Sequence, residues 1–135
     1  MKLVRITAIG TLAFLGLSSL VGAIPMILDP TGKMLRMPLS LLRYSPFDSF
    51  LIPGIILLVA NGLLALGVLW LALRRRPRYG LWTAFQGCVL LGWLAVECWM
   101  IRVVVWPHYF YGAVALVLIA TGLALRREPV PTPKC

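Results

Sequence analysis

The sequence predicts an all-α membrane protein with four transmembrane helices in two hairpins, and three observations lead to this fold class. First, 61% of the 135 residues are hydrophobic and only 13% are charged, whereas soluble domains are nearer half apolar and a quarter charged. Second, four apolar segments are each long enough to cross a bilayer, which takes about 20 helical residues. Third, most basic residues lie between these segments, as in multi-pass proteins. We therefore expect one four-helix transmembrane bundle over 1–128 and a short tail over 129–135.

The first span is predicted over 6–28, a stretch of 23 residues without a charge that follows Lys2 and Arg5. A signal peptide cleaved near 21–23 is the alternative, but its apolar core is ordinarily only about 7–15 residues long. The length therefore favours a retained helix. The Asp-Pro-Thr-Gly sequence at 29–32 predicts a type I turn that ends it.

The second span is predicted over 51–73. Before it, basic residues and leucines between 33 and 44 follow the spacing of an amphipathic helix, which predicts a short interfacial helix in the first loop. The Ser-Pro-Phe-Asp sequence at 45–48 has the order of a helix start, with serine as N-cap and proline at the first helical position. The Pro-Gly pair at 53–54 is expected to bend the helix.

The third and fourth spans follow the Arg-rich loop. The third is predicted over about 81–101, where the apolar run ends at Arg102. The fourth is predicted over about 107–125, because Pro107 interrupts the apolar run that begins after Arg102.

The distribution of basic residues over this layout predicts its orientation. The side with both termini and the central loop carries nine Lys and Arg residues, and the other side carries four. By the positive-inside rule, both termini face the cytoplasm. The basic residues are then partners of anionic lipid headgroups, at about 1 kcal/mol each near the surface, and nucleic acid is not expected as a partner. The residues expected to contact these lipids are Arg74, Arg75, Arg76 and Arg78.

Glu97 is the residue within the spans that most strongly indicates a site. An ionisable group at the bilayer centre costs about 2.5–3.5 kcal/mol on insertion scales, so such groups usually have a function. Gln86, Trp93 and Glu97 are spaced seven and four residues apart, which places them on one helical face that we expect to turn into the bundle. Other polar residues are predicted on the same side of the membrane. The candidate ligand or proton site comprises Glu97, His108, Arg102, Asp48 and Trp93.

Two interpretations of Glu97 remain open at this point. In one, its carboxyl group is a proton site or a polar anchor for the headgroup of a ligand. In the other, it forms a structural ion pair with Arg102, His108 or Arg43.

The remaining polar and small residues of the spans are interpreted as packing features. Asn61, near the middle of the second span, is expected to form a hydrogen bond between helices, while Ser18 and Gly22 are expected to permit close helix packing. Cys88 and Cys98 lie about 15 Å apart along one helix at 1.5 Å per residue, which is too far for a disulfide.

Composition argues against a metal or a cofactor. His108 is the only histidine, which excludes a haem held by two histidines of one chain and leaves a zinc site short of its usual ligands. We expect no metal site and no cofactor.

The turn at 29–32, the Ser-Pro-Phe sequence at 45–47 and the Pro-Gly pair at 53–54, together with the four-span layout, resemble small bacterial four-helix membrane proteins without an established activity. This resemblance implies a bacterial origin and a topology, with the chain as a multi-pass protein of the inner membrane, but it supplies no catalytic residues. In length and layout the chain is also similar to DoxX-type membrane proteins, some of which are linked to redox or quinone partners.

The expected function is that of a non-enzymatic accessory component that interacts with lipids or with a partner. Its partners would be membrane lipids and either further copies of the chain or another membrane protein. The first alternative is a binder or carrier of a small ligand that uses an outer-facing polar mouth around Glu97, as a homodimer. The second is a redox or quinone-associated subunit. An enzyme is disfavoured because no Ser-His-Asp order, paired intramembrane carboxylates or phosphate loop is present.

Overall fold

A computed structural model describes residues 2–33, 46–102 and 104–127. Within these ranges the chain forms helices and no strand, and four helices are long and apolar enough to cross a membrane. The predicted all-α fold with four candidate membrane spans is therefore confirmed. The predicted interfacial helix, Arg43 and the tail over 129–135 lie outside the described residues.

Three of the four long helices are regular, and the second candidate span is built from three consecutive segments. We number only the α-helical segments, in chain order. The bounds are α1 Lys2–Leu28, α2 Leu51–Leu57, a π-helical segment Leu58–Leu63, α3 Leu64–Leu73, α4 Tyr79–Ile101 and α5 Trp106–Leu125. Helix α1 starts before the predicted apolar span and includes Lys2 and Arg5 in its first turn. Their long aliphatic stems let the charged groups reach water from the end of a membrane-spanning helix.

The four spans pack as two hairpins. Helix α1 packs along the whole second span, α4 packs closely against α5, and contacts of α1 with α5 and of α4 with the second span close the bundle. The core between them consists of aliphatic side chains from every span. Its fully buried members include Ala8, Leu12, Leu15, Ala65, Val68, Ala115 and Leu118.

Glycines bring the backbones of α4 and α5 into contact. A Cβ atom on Gly122 of α5 would lie 2.4 Å from the backbone nitrogen of Ala84 in α4. One on Gly87 of α4 would lie 2.7 Å from the carbonyl oxygen of Ala115. This hairpin therefore depends on the absence of side chains at both positions.

The chain between α1 and α2 confirms one sequence prediction and contradicts another. The turn at 29–32 is present, because Gly32 N–H donates to the Asp29 carbonyl at 3.1 Å. The helix start predicted at 45–48 is wrong, since residues 46–50 are not helical and α2 begins at Leu51. The physical reason is a tertiary bond in which Phe50 N–H donates to the Pro30 carbonyl at 2.9 Å and holds this segment against the turn.

The loop between α3 and α4 reverses the chain with two arginines in the left-handed region. Arg75 has a φ of 49° and Arg78 a φ of 65°, conformations that cost a non-glycine residue some backbone energy. The guanidinium groups of Arg74 and Arg76 lie 6.0 and 5.3 Å from the centre of the Trp70 ring, within cation–π range.

Arg5 joins the start of α1 to the end of α3. Its Nη2 donates to the carbonyls of Ala72 and Leu73 at 2.9 and 3.3 Å, which are among the carbonyls that a helix leaves unpaired at its C-terminus. We call this end of the bundle, with the loop 74–78 and Arg126, the basic end. The opposite end, which contains Glu97, is called the Glu97 end.

Candidate functional site

Glu97 and His108 face each other across the α4–α5 hairpin. Glu97 lies near the C-terminus of α4 and His108 in the first turn of α5, so the short connection between these helices brings them together. The distance from His108 Nε2 to Glu97 Oε2 is 3.2 Å. The histidine side chain is 7% exposed and the glutamate side chain 31%. The structure therefore pairs Glu97 with His108, one of the partners that the sequence left open.

The start of α5 determines which nitrogen of His108 carries the proton. Val105 is extended, with φ −116° and ψ 169°, and its backbone N–H donates to His108 Nδ1 at 3.1 Å. His108 thus performs the capping role usually taken by Glu or Gln at the third helical position. Because Nδ1 accepts this bond, the ring proton lies on Nε2 and points at Glu97.

Trp93 completes the polar wall of α4. It lies one helical turn before Glu97, it is buried, and its indole faces the Glu97 carboxylate. Gln86, two turns further along the same face, is fully buried. The prediction that Gln86, Trp93 and Glu97 share a face directed into the bundle is confirmed.

A cavity of ≈ 200 Å³ lies beside this pair, between all four spans. Its wall is largely apolar, and the lining residues that carry polar side-chain atoms are Ser18, Ser19, Trp93, Glu97 and Tyr111. Gly22 of α1 has room for a Cβ atom, which would meet Leu57 Cδ2 at 3.6 Å, an ordinary van der Waals distance. The lining residues are Leu15, Ser18, Ser19, Gly22, Leu57, Leu90, Trp93, Leu94, Glu97, Pro107 and Tyr111.

Arg102 and Asp48 do not line this cavity, and His108 reaches it only through its contact with Glu97. Arg102 has a φ of 60°, ends α4, and holds its guanidinium 5.9 Å from the centre of the Trp99 ring. Asp48 is exposed in the non-helical segment before α2. The structure therefore brings together Glu97, His108 and Trp93, and it places Arg102 and Asp48 elsewhere at the same end.

The cavity wall on α1 was not recognised from the sequence. Ser18 and Gly22 were interpreted as small residues for close helix packing, whereas the structure places both on the cavity wall. Their spacing of four residues on one face was the available signal, but this pattern does not distinguish a tight contact from a void.

A second polar cluster lies deeper in the bundle, where the second span is π-helical. Leu64 N–H donates to the Val59 carbonyl, five residues back, before the helix returns to α spacing. The change from π-helical to α-helical spacing leaves one backbone carbonyl without a helical donor. The carbonyl of Ala60, the residue after Val59, accepts a bond from Gln86 Nε2 at 3.1 Å. Gln86 Nε2 also donates to Asn61 Oδ1 at 3.3 Å. The predicted interhelical hydrogen bond of Asn61 is confirmed.

The four arginines predicted to contact lipid, Arg74, Arg75, Arg76 and Arg78, are all exposed at the basic end. They lie far from the Glu97 end along the bundle. In the part of the chain that the structure describes, no group of three or more His, Cys, Asp and Glu side chains is placed to hold a metal.

Comparisons of the chain with protein-family models, with curated proteins and with solved structures find no match. Its function is therefore argued from the cavity and the side chains that line it.

Proposed function

We propose that this chain is a multi-pass protein of the bacterial inner membrane that binds a small ligand in the cavity at the Glu97 end and does not itself catalyse a reaction. The observation that carries this proposal is the cavity of ≈ 200 Å³, which combines an apolar wall with one carboxylate. Ligand sites are typically concave and apolar with a few polar groups that fix orientation.

The contrast with the rest of the bundle supports binding over a purely structural role. Helices α4 and α5 approach so closely that Gly122 has no room for a Cβ atom. A void in an otherwise close-packed interior lowers stability, so a protein that served only as an anchor would gain by filling it. The polar residues at the void also cost more to keep in a membrane than apolar ones.

The proposed orientation follows from charge. We place the basic end, with both termini, at the cytoplasmic surface and the Glu97 end toward the outer side. Exposure of Arg74, Arg75, Arg76 and Arg78 and the stacking of two of them on Trp70 support contact of this end with anionic lipid headgroups. The cavity then opens on the side away from the cytoplasm.

Native mass spectrometry from a mild detergent tests the proposal, with a variant that plugs the cavity. Gly22→Leu projects a side chain into the cavity, whereas Gly10→Leu, on the same helix, meets no atom within 4 Å and serves as the matched control. We expect a non-lipid adduct on the wild type and on Gly10→Leu that is lost from Gly22→Leu. The same spectra report whether the protein is a homodimer.

The same adducts on all three proteins would contradict a ligand in this cavity, because only Gly22→Leu removes the space. Lipids bound to the outer surface are expected on every variant and do not enter the comparison.

A further inference from the structure

The charge balance of the cavity wall narrows the chemistry of the ligand. Of the lining residues that the structure describes, Glu97 is the one carboxylate, and no lysine or arginine is among them. From α4, Trp93 faces the carboxylate, and from α5, His108 does so. Helix α1 and the second span contribute no ionisable side chain to the wall.

His108 holds the Glu97 carboxylate by one oxygen. Its Nε2 lies 3.2 Å from Glu97 Oε2, and its Nδ1 accepts the Val105 backbone N–H at 3.1 Å. With Nδ1 engaged in this bond, the ring donates from Nε2. His108 is therefore a positioning residue that orients the carboxylate through Oε2.

The facing wall of α1 adds hydrogen-bond acceptors. The Ser18 hydroxyl donates to the Leu15 carbonyl at 3.2 Å, so its oxygen lone pairs can accept. Ser19 is only 5% exposed and lines the cavity, and its hydroxyl makes no hydrogen bond to any residue in the described ranges. Two aromatic residues, Trp93 on α4 and Tyr111 on α5, also line the cavity, and aromatic rings attract cations.

We infer that the ligand of this cavity is a small organic cation with N–H donors, a protonated primary or secondary amine on a compact apolar body. This inference rests on the proposed function. The ammonium group pairs with the Glu97 carboxylate and donates a second bond to Ser19 or Ser18. The apolar body packs against Leu57, Leu90 and the other aliphatic lining residues. Because the glutamate side chain is only 31% exposed, a charge contributes more there than it would in bulk water.

Isothermal titration of the full chain in an uncharged detergent tests the inference with three probes that share one ring: cyclohexylammonium, cyclohexanol and cyclohexanecarboxylate. We expect the wild type to bind cyclohexylammonium about tenfold more tightly than cyclohexanol, or better, which corresponds to about 1.4 kcal/mol. The carboxylate should bind weakest. In Glu97→Gln the preference for the cation should disappear while cyclohexanol still binds. Asp48→Asn, which removes an exposed carboxylate outside the cavity at the same end, should keep the preference.

Two outcomes would contradict the inference, and a third would contradict the proposed function. Cyclohexanol bound as tightly as cyclohexylammonium by the wild type would overturn the inference and leave the proposed function standing, and this comparison needs no variant to fold. A cation preference that persists in Glu97→Gln would also overturn it. If none of the probes binds the wild type more tightly than it binds Gly22→Leu, the proposed function itself fails.

Discussion

Glu97 occupies a position that is unfavourable for a carboxylate, and its neighbours explain how it is held there. His108 directs an N–H at one oxygen, and Trp93 covers the group from the same helix. The histidine is in turn fixed by the backbone of Val105. A carboxylate oriented by a histidine that is itself fixed can be presented to a ligand in one direction, which is the chemical basis of the proposed site.

At the same scale, Gln86 and Asn61 form the deeper polar contact. Both side chains are fully buried, and Gln86 links the Ala60 carbonyl to Asn61 Oδ1. Asn61 Nδ2 and Gln86 Oε1 have no hydrogen-bond partner among the described residues. The hydrogen-bonding capacity of the two amides is therefore only partly used. The contribution of this pair to the free energy of unfolding can be measured.

We expect Gln86→Leu and Asn61→Leu to be coupled, because each removes one side of the bond at 3.3 Å. A double-mutant cycle on the free energy of unfolding in mixed detergent micelles should give about 0.6–1.7 kcal/mol, the range of interhelical hydrogen bonds in membranes. Free-energy changes that simply add would show that the two amides act independently.

The sequence predicted the inward face of α4 but only part of the site. Spacings of seven and four residues suffice to place Gln86, Trp93 and Glu97 together. The role of His108 depends on Val105 being extended, which no periodicity reveals. The predicted membership of Arg102 rested on its place on the same side of the membrane, whereas its left-handed conformation directs it out of the helix.

At the scale of the elements, the α4–α5 hairpin is the closest contact in the bundle. Gly80, Gly87 and Gly122 stand where a Cβ atom would lie under 3 Å from backbone atoms of the other helix. Such contacts let van der Waals packing, the main force between helices in lipid, act at short range. The hairpin also sets the distance between Glu97 and His108, so the site depends on it.

Gly122→Ala is expected to destabilise the protein by about 1–3 kcal/mol, the usual cost of overpacking. Its Cβ atom would meet the backbone of Ala84, which cannot move aside as a flexible side chain would. Gly112→Ala on the same helix meets no atom within 4 Å and should be neutral or slightly stabilising. Thermal unfolding in detergent measures both, and equal midpoints for the two variants would contradict the close contact.

Element boundaries were predictable only where local chemistry decides them. The turn at 29–32 forms as its residue types indicate. The start of α2 does not, because the bond from Phe50 N–H to the Pro30 carbonyl outweighs the helix-start signal at 45–48. The π-helical segment Leu58–Leu63 was likewise not predicted. Its Ala60 carbonyl accepts a hydrogen bond from Gln86 on another helix, and local sequence does not reveal such a contact.

At the scale of the whole molecule, the four spans and their pairing followed from hydropathy and loop lengths, which describe each helix against lipid. The cavity could not be predicted in this way, because it depends on the distances between α1 and the neighbouring helices. The same small residues that bring helices together at Gly122 leave open space at Gly22. Orientation in the membrane remains a prediction from charge.

Reporter fusions test that orientation. Fusions after Arg78 and after Arg127 should both report the cytoplasm, because the basic end carries the excess of Lys and Arg. A fusion after Gly32, at the Glu97 end, serves as the opposite control and should report the outer side. An external signal after Arg78 would place the cavity on the cytoplasmic side and contradict the proposed topology.

The reaction of a cysteine at position 19 with methyl methanethiosulfonate, a small neutral reagent, tests most directly whether the cavity admits a ligand. Ser19→Cys, in a background with Cys88, Cys98 and Cys135 replaced by alanine, places a thiol of similar size on the cavity wall. We expect it to react in the folded protein, and Gly22→Leu to slow the reaction by about tenfold or more, because access controls thiol reactivity. Leu12→Cys, at a fully buried core position, should stay unmodified. A cysteine at 19 that reacts no faster than the one at 12 would contradict the cavity and the function proposed for it.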